Sequence, residues 1–129
     1  MLMFKKITPV LLLGLVLAGC ATSTITRLTP RQSPRSADGL YPIEATLHSD
    51  QQSLRWDTIQ ASVLVGSQEY PMHMTALMTN RWETLIPVPA GTDSIEYRIK
   101  LDYYYNAFGV PPQETTMTSK TYKLKIADQ

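Results

Sequence analysis

Ile95-Glu96-Tyr97-Arg98-Ile99-Lys100-Leu101-Asp102-Tyr103-Tyr104 alternates apolar and polar side chains along its length. Successive side chains of a strand point to opposite faces, so an apolar set recurring every second residue marks a half-buried strand. Ile95, Tyr97, Ile99, Leu101 and Tyr103 form that set, while Glu96, Arg98, Lys100 and Asp102 face water. The stretch reads as the central strand of an antiparallel sheet with one wet face.

The same pattern extends outward on both sides. Upstream, Tyr41, Ile43, Ala45 and Leu47 alternate with Pro42, Glu44, Thr46 and His48, and His48 to Gln52 turns. A second strand is predicted over about Asp57 to Val65, with Ile59, Ala61, Val63 and Val65 inward. Gly66-Ser67 is a hairpin signal, and its partner strand would carry Tyr70, Met72 and Met74 on one face. Asn80-Arg81 turns into a strand over Trp82 to Val88, which Pro89-Ala90-Gly91 ends. Downstream, Asn106 to Gln113 reads as a long loop. The last strand, about Thr118 to Ile126, places Tyr122, Leu124 and Ile126 inward. There is no internal repeat, and no stretch of the folded part has a 3.6-residue period. About 6–7 short strands in under ninety residues point to an all-β, two-sheet antiparallel sandwich.

The order of these pieces resembles small immunoglobulin-like (Ig-like) sandwiches of the early-set type. The resemblance is carried by Asn80-Arg81-Trp82-Glu83, then Ile86-Pro87-Val88-Pro89-Ala90-Gly91, then Ile95-Glu96-Tyr97-Arg98-Ile99-Lys100. In such domains a tryptophan opens a strand, a proline–glycine turn closes it and an aromatic-rich strand pairs back. Antibody-type domains carry a cysteine pair bracketing a tryptophan, and this chain has a single cysteine.

That cysteine lies elsewhere. Lys5-Lys6, an apolar run from Ile7 to Leu17 and Leu17-Ala18-Gly19-Cys20 are the three regions of a secretory signal. The run is shorter than the roughly 20 apolar residues of a permanent bilayer-spanning helix. Cleavage is expected between Gly19 and Cys20. An ordinary signal peptide with a free cysteine nearby is one reading. The other is the lipobox of bacterial lipoproteins, which this arrangement resembles and in which the cysteine becomes the acylated first residue. A lone cysteine cannot close an internal disulfide, and lipidation (with palmitate among the acyl chains) accounts for it. More than one acyl chain gives stable anchoring, at about 0.8 kcal/mol per buried methylene. Ala21 rather than Asp follows Cys20; in Gram-negative families resembling this one, that favours the outer membrane. Lipobox, tether and one Ig-like domain together resemble single-domain Ig-like lipoproteins of bacterial envelopes, a family that implies a fold and a location but no activity.

The expected organisation is a signal peptide at 1–19, a lipidated cysteine with a disordered tether at 20–39 and the sandwich at 40–127. The segment from Ala21 to Gly39 is rich in Ser, Thr, Pro and Arg and poor in apolar residues. Such a composition buries too little apolar surface to offset ordering entropy. Its Arg27, Arg31 and Arg35 could touch anionic headgroups, although a solvated linker is the plainer reading.

Composition narrows function by exclusion. The formal net charge of +1 includes Lys5 and Lys6, so the part beyond residue 19 is nearly neutral. That argues against nucleic acid, which demands a clustered basic face. His48 and His73 fall on different strands, facing away from the expected core, and no ligand cluster accompanies them, so no metal is expected. No serine sits in a Gly-x-Ser-x-Gly elbow and no glycine-rich phosphate loop is present. Catalytic residues and cofactors are therefore not assigned, and a domain of this size rarely holds the cleft of a two-carboxylate glycosidase.

Aromatic residues are the remaining candidates. Trp82, Tyr97 and Tyr103 fall on the core face, where packing explains them. Met72, Met74 and Met78 are expected as core filler. Tyr104, Phe108 and Trp56, the last placed in a turn, could form an exposed stacking platform, since exposed aromatic clusters mark interaction surfaces. Two functions follow. One is a membrane-anchored, non-catalytic envelope lipoprotein that binds another envelope component, for instance along an open sheet edge. The alternative is a carbohydrate-binding module using Trp56, Tyr104 and Phe108, so the candidate partners beyond the membrane are an envelope protein or a glycan.

Overall fold

Ser94 to Tyr105, the stretch whose alternation is clearest, forms strand β8, and the rest of the fold is arranged about it. The computed structural model describes residues 22–128. In chain order its strands are β1 (Ser23–Arg27), β2 (Gln32–Pro34), β3 (Leu40–Ser49), β4 (Leu54–Val65), β5 (Gln68–Pro71), β6 (His73–Met74), β7 (Arg81–Pro87), β8, β9 (Gln113–Thr118) and β10 (Tyr122–Ala127). One sheet has the order β1-β3-β7-β6, and the other has β2-β10-β8-β4-β5 with β9 also on β8. All pairings are antiparallel except β2 with β10. This is the strand order of an Ig-like sandwich, A-B-E-D facing A′-G-F-C-C′.

The core lies between the two inner faces. Ile43, Leu47 and Ile86 of one sheet and Val63, Ile99, Leu101 and Leu124 of the other are completely buried. Trp82, Tyr97 and Tyr103 join them, as the alternation predicts. Truncating any of the buried Leu or Ile side chains to Ala would cost about 2–5 kcal/mol.

Ten strands appear among the described residues where six or seven were expected, for three reasons. First, residues 22–34 of the expected tether pair into the sheets. β1 runs antiparallel to β3, with Ser23 opposite Ser49 and Arg27 opposite Ala45. The chain then crosses to the other sheet, where β2 lies parallel to β10. Thr29, buried at the crossing, accepts from the Glu44 amide at 2.8 Å. Ile25 is the one apolar side chain of β1 that packs against the core, so order here comes from backbone pairing to an edge rather than from burial.

Second, the expected strand through Tyr70, Met72 and Met74 is split between sheets. Gly66, at φ +57, and Ser67 make the two-residue turn from β4 to β5. At Met72, whose amide still donates to Ala61 at 2.8 Å, the chain leaves for the opposite sheet and β6 pairs with β7. Met74 and Met78 are consequently exposed, a correction to their expected place in the core; Met72 alone of the three packs against it.

Third, β9 forms over Gln113–Thr118, ahead of the expected last strand and taking in the end of the expected loop, and a bulge separates it from β10. β8 pairs with β10 through Ser94–Tyr97 and with β9 through Lys100–Tyr105. Four residue steps separate Thr118 from Tyr122 where three separate Tyr97 from Lys100, which leaves one residue unpaired. Ser119 repairs the ladder: its hydroxyl accepts the Ile99 N–H at 2.8 Å and its own N–H donates to the Ile99 carbonyl at 2.8 Å.

Candidate functional site

Gly19 and Cys20 lie outside the described residues, and the three aromatic candidates occupy different settings. Tyr104 sits on the outer face of β8, opposite Arg55 on one side and Glu114 on the other, 40% exposed. Its hydroxyl is 3.5 Å from the Glu114 carboxylate. Phe108 stands in solvent on the β8–β9 loop. Trp56 lies within β4 rather than in a turn. It belongs to a bulge in which five residue steps from Arg55 to Gln60 face two from Tyr104 to Asp102. The bulge turns its ring onto the core, beside a recess lined by Leu47, His48, Thr79 and Asn80. Tyr104 and Trp56 thus occupy different surfaces. His48 and His73 are exposed on separate strands, with His73 3.6 Å from Glu83. Among the described residues no three His, Cys, Asp or Glu side chains converge.

A different cluster emerges where β1 crosses to β2. Arg27 ends β1, and Arg31 precedes β2 and accepts from the Lys125 amide at 2.9 Å through its carbonyl. The β9–β10 bulge brings Lys120 alongside, and Lys123 and Lys125 project from β10. These five cations surround Tyr122 in an open groove of about 440 Å³. The Arg27 guanidinium carbon stands 5.0 Å from the Tyr122 ring centroid and Lys120 Nζ 5.8 Å. Both lie within the reach of a cation–π contact. The ring itself is held from behind: it packs 5.6 Å from the Tyr97 ring, and its hydroxyl donates to the Ile25 carbonyl at 3.3 Å. Burial raises the Tyr97 phenol above its usual value against the smaller opposing pull of Arg27.

The electrostatics separate this cluster from the other cations. Arg35, Arg55, Arg81 and Lys100 are each within ion-pair distance of a carboxylate. Arg27, Arg31, Lys120, Lys123 and Lys125 form no ion pair among the described residues, a condition they share only with Arg98. The acid facing them in the ladder is Glu96, opposite Lys123. Side chains left in this state repel one another at close quarters, and an anion laid along the groove relieves that repulsion.

No family model and no curated relative matches the chain. Among solved structures it is similar to murine CRIg, with 11% identity and a TM-score of 0.47 over 81% of this chain and 98% of that one. It is also similar to a chain from a structure on T cell specificity and activation by the bacterial superantigen toxic shock syndrome toxin-1. There the identity is 9% and the TM-score 0.45, over 82% of this chain and 100% of that one. The Ig-like assignment rests on the strand order itself.

Proposed function

We propose that this chain is a non-catalytic, lipid-anchored envelope protein of the outer membrane whose Ig-like domain binds an anionic envelope component. The anchor is supported by Lys5-Lys6, the apolar run and Gly19-Cys20-Ala21. The binding role is carried by one observation, the five cations without ion pairs gathered round Tyr122. Open on one side and lined by two arginines and three lysines, the groove suits an extended polyanion, such as a carboxylate- or phosphate-bearing glycan polymer, better than a small buried ligand.

The test is a panel of neutral glycans, acidic glycans and peptidoglycan against the full chain and an Arg27→Ala/Lys123→Ala variant. Acidic polymers should be retained, salt should weaken the binding, and the variant should lose it. Retention of neutral glycans that a Tyr104→Ala/Phe108→Ala variant loses would instead establish the carbohydrate-binding module. The anchor is tested separately by the mass of the processed N-terminus and by release of a Cys20→Ser variant from membranes.

A further inference from the structure

The two ends of the sandwich differ in chemistry. Thr22 is pinned at one of them: its carbonyl accepts the Asp50 N–H at 3.0 Å, while its own N–H donates to the Asp50 carboxylate. The β3–β4 turn lies at this end, with Ser49 opposite Ser23. The β6–β7 loop is here too, since Asn80 accepts the Leu47 N–H at 2.9 Å. The β8–β9 loop joins them, because the Asn106 N–H donates to Ser53 at 2.8 Å.

The last two loops present apolar side chains to solvent. Leu77 and Phe108 are completely exposed, and Met78 and Val110 are 42% and 53% exposed. Phe108-Gly109 forms the tip of a turn in which Val110 bonds back to Ala107, with Gly109 at φ +77. Leu77 occupies the equivalent bend of the other loop, where Met78 bonds back to Thr75, at φ +65. A left-handed conformation is strained for leucine, and here the strain secures no packing at all. The opposite end holds Arg35 to Gly39, Gly66-Ser67, Pro89 to Asp93 and Asp128. It has no exposed large apolar side chain among the described residues and is tied by Arg35 to Asp93 and Asp128.

We infer that the Thr22 end is a membrane-docking face, with Leu77 and Phe108 entering the boundary between lipid headgroups and acyl chains. The inference rests on the lipid-anchor reading above. Cys20 stands two positions before Thr22, a span of at most about 7 Å of extended chain. An acylated Cys20 therefore holds this end, and not the other, against the bilayer. Apolar tips on two loops of this end then add a second, independent contact of the kind that fixes a monotopic domain's orientation. The cationic groove begins at Arg27, four residues along β1 from Ser23, or about 13 Å up the sandwich. Docking so placed leaves the groove open to a polymer above the membrane surface.

The test uses the full chain purified from the membranes of a Gram-negative host, with lipid on Cys20 verified by mass. Acylation consumes the single native thiol, so Leu77→Cys, Phe108→Cys and, at the far end, exposed Ser67→Cys each carry one site for a polarity-sensitive fluorophore. In phosphatidylethanolamine–phosphatidylglycerol vesicles containing nitroxide-labelled lipid, labels at 77 and 108 should be quenched at least threefold more than the label at 67. Equal quenching at all three sites with lipid present overturns the docking face and leaves the anchor standing. Shielding from water at 77 and 108 without lipid quenching also overturns it, in favour of a protein contact. An unmodified Cys20 removes the anchor and the docking face together.

Discussion

The Thr58 hydroxyl accepts the backbone N–H of Tyr104 at 2.9 Å and donates to the Arg55 carbonyl at 2.6 Å. One side chain thereby takes the place of the ladder partners that the β4 bulge removes. It lets β4 carry Trp56 onto the core while β8 continues straight, with Tyr104 held outward. Each such bond contributes about 0.5–1.5 kcal/mol net.

Thr58→Val keeps the shape and removes both bonds, so it should destabilise the domain by about 1–2 kcal/mol. Thr58→Ser should lie within about 0.5 kcal/mol of the wild type, since the hydroxyl remains. Urea unfolding followed by tryptophan fluorescence reads both, because Trp56 lies in the bulge itself. Equal stability of the Val and Ser variants would show that the bulge does not depend on this hydroxyl.

Much of the core was legible because β3, β4, β7 and β8 each bury one face, and a period of two is all that requires. The same period hid the sheet switch at Met72: alternation runs on unbroken when a strand changes partners, so Tyr70, Met72 and Met74 look like one strand. β1 carries no such signal because Ser23-Thr24-Ile25-Thr26-Arg27 has a single apolar residue and depends on the free edge of β3. The cationic groove was invisible for a related reason. Its residues lie at 27–31 and 120–125, and only the crossing from β1 to β2 beside β10 brings them together. The usable signals were the arginines of the supposed tether and the Lys120, Lys123, Lys125 series. A near-neutral total charge concealed both.

Tyr122 should matter to the groove as a ring rather than as a phenol. Tyr122→Phe removes the bond to Ile25 and keeps the face beneath Arg27 and Lys120. Its affinity for an acidic polymer should match the wild type. Tyr122→Leu removes two cation–π contacts over a ring that is itself buried in the fold, each about 0.5–1 kcal/mol, which frees both cations to move. A loss of roughly fivefold to thirtyfold in affinity is expected from that range, measurable by titration at low salt. Identical losses in the two variants would mean that the ring does not organise the cations.

Acid should loosen the start of β1 before it unfolds the domain. The Thr22 backbone N–H, with the Thr22 hydroxyl behind it, holds the Asp50 carboxyl below the usual carboxylate range. A folded-state pKa below the unfolded one gives a contribution that is present above the unfolded value and lost as the pH falls through the folded one. The window therefore lies below about pH 4. Protection of the Asp50 amide, whose N–H is bonded to Thr22, should fall there before that of Ile99 in the core. Asp50→Ala should show the lowered protection already at neutral pH. Unchanged exchange in that variant would place the hold on β1 elsewhere. The pair of Lys100 with Glu69, 2.7 Å apart, behaves in the opposite sense at its basic partner. Glu69 raises the Lys100 pKa, so that share of stability is full at neutral pH and lost only in strong alkali, as the pH passes the raised value.

Leu77 sets stability against docking. Its side chain touches solvent alone, and its φ of +65 is one that glycine adopts without strain. Leu77→Gly removes a left-handed penalty of about 1–2 kcal/mol and gives part of it back through the freer unfolded chain. The net should be a gain of about 0.5–1 kcal/mol in urea unfolding, an unusual result for deleting a large apolar side chain. On the docking reading, the strained bend presents Leu77 to the bilayer at a cost to the fold. The variant that is more stable in solution should therefore be the one less firmly seated on vesicles: with the label at 108, lipid quenching should fall relative to the leucine protein. A Leu77→Gly variant both more stable and equally quenched would assign the strained loop no part in docking and leave Phe108 to carry it.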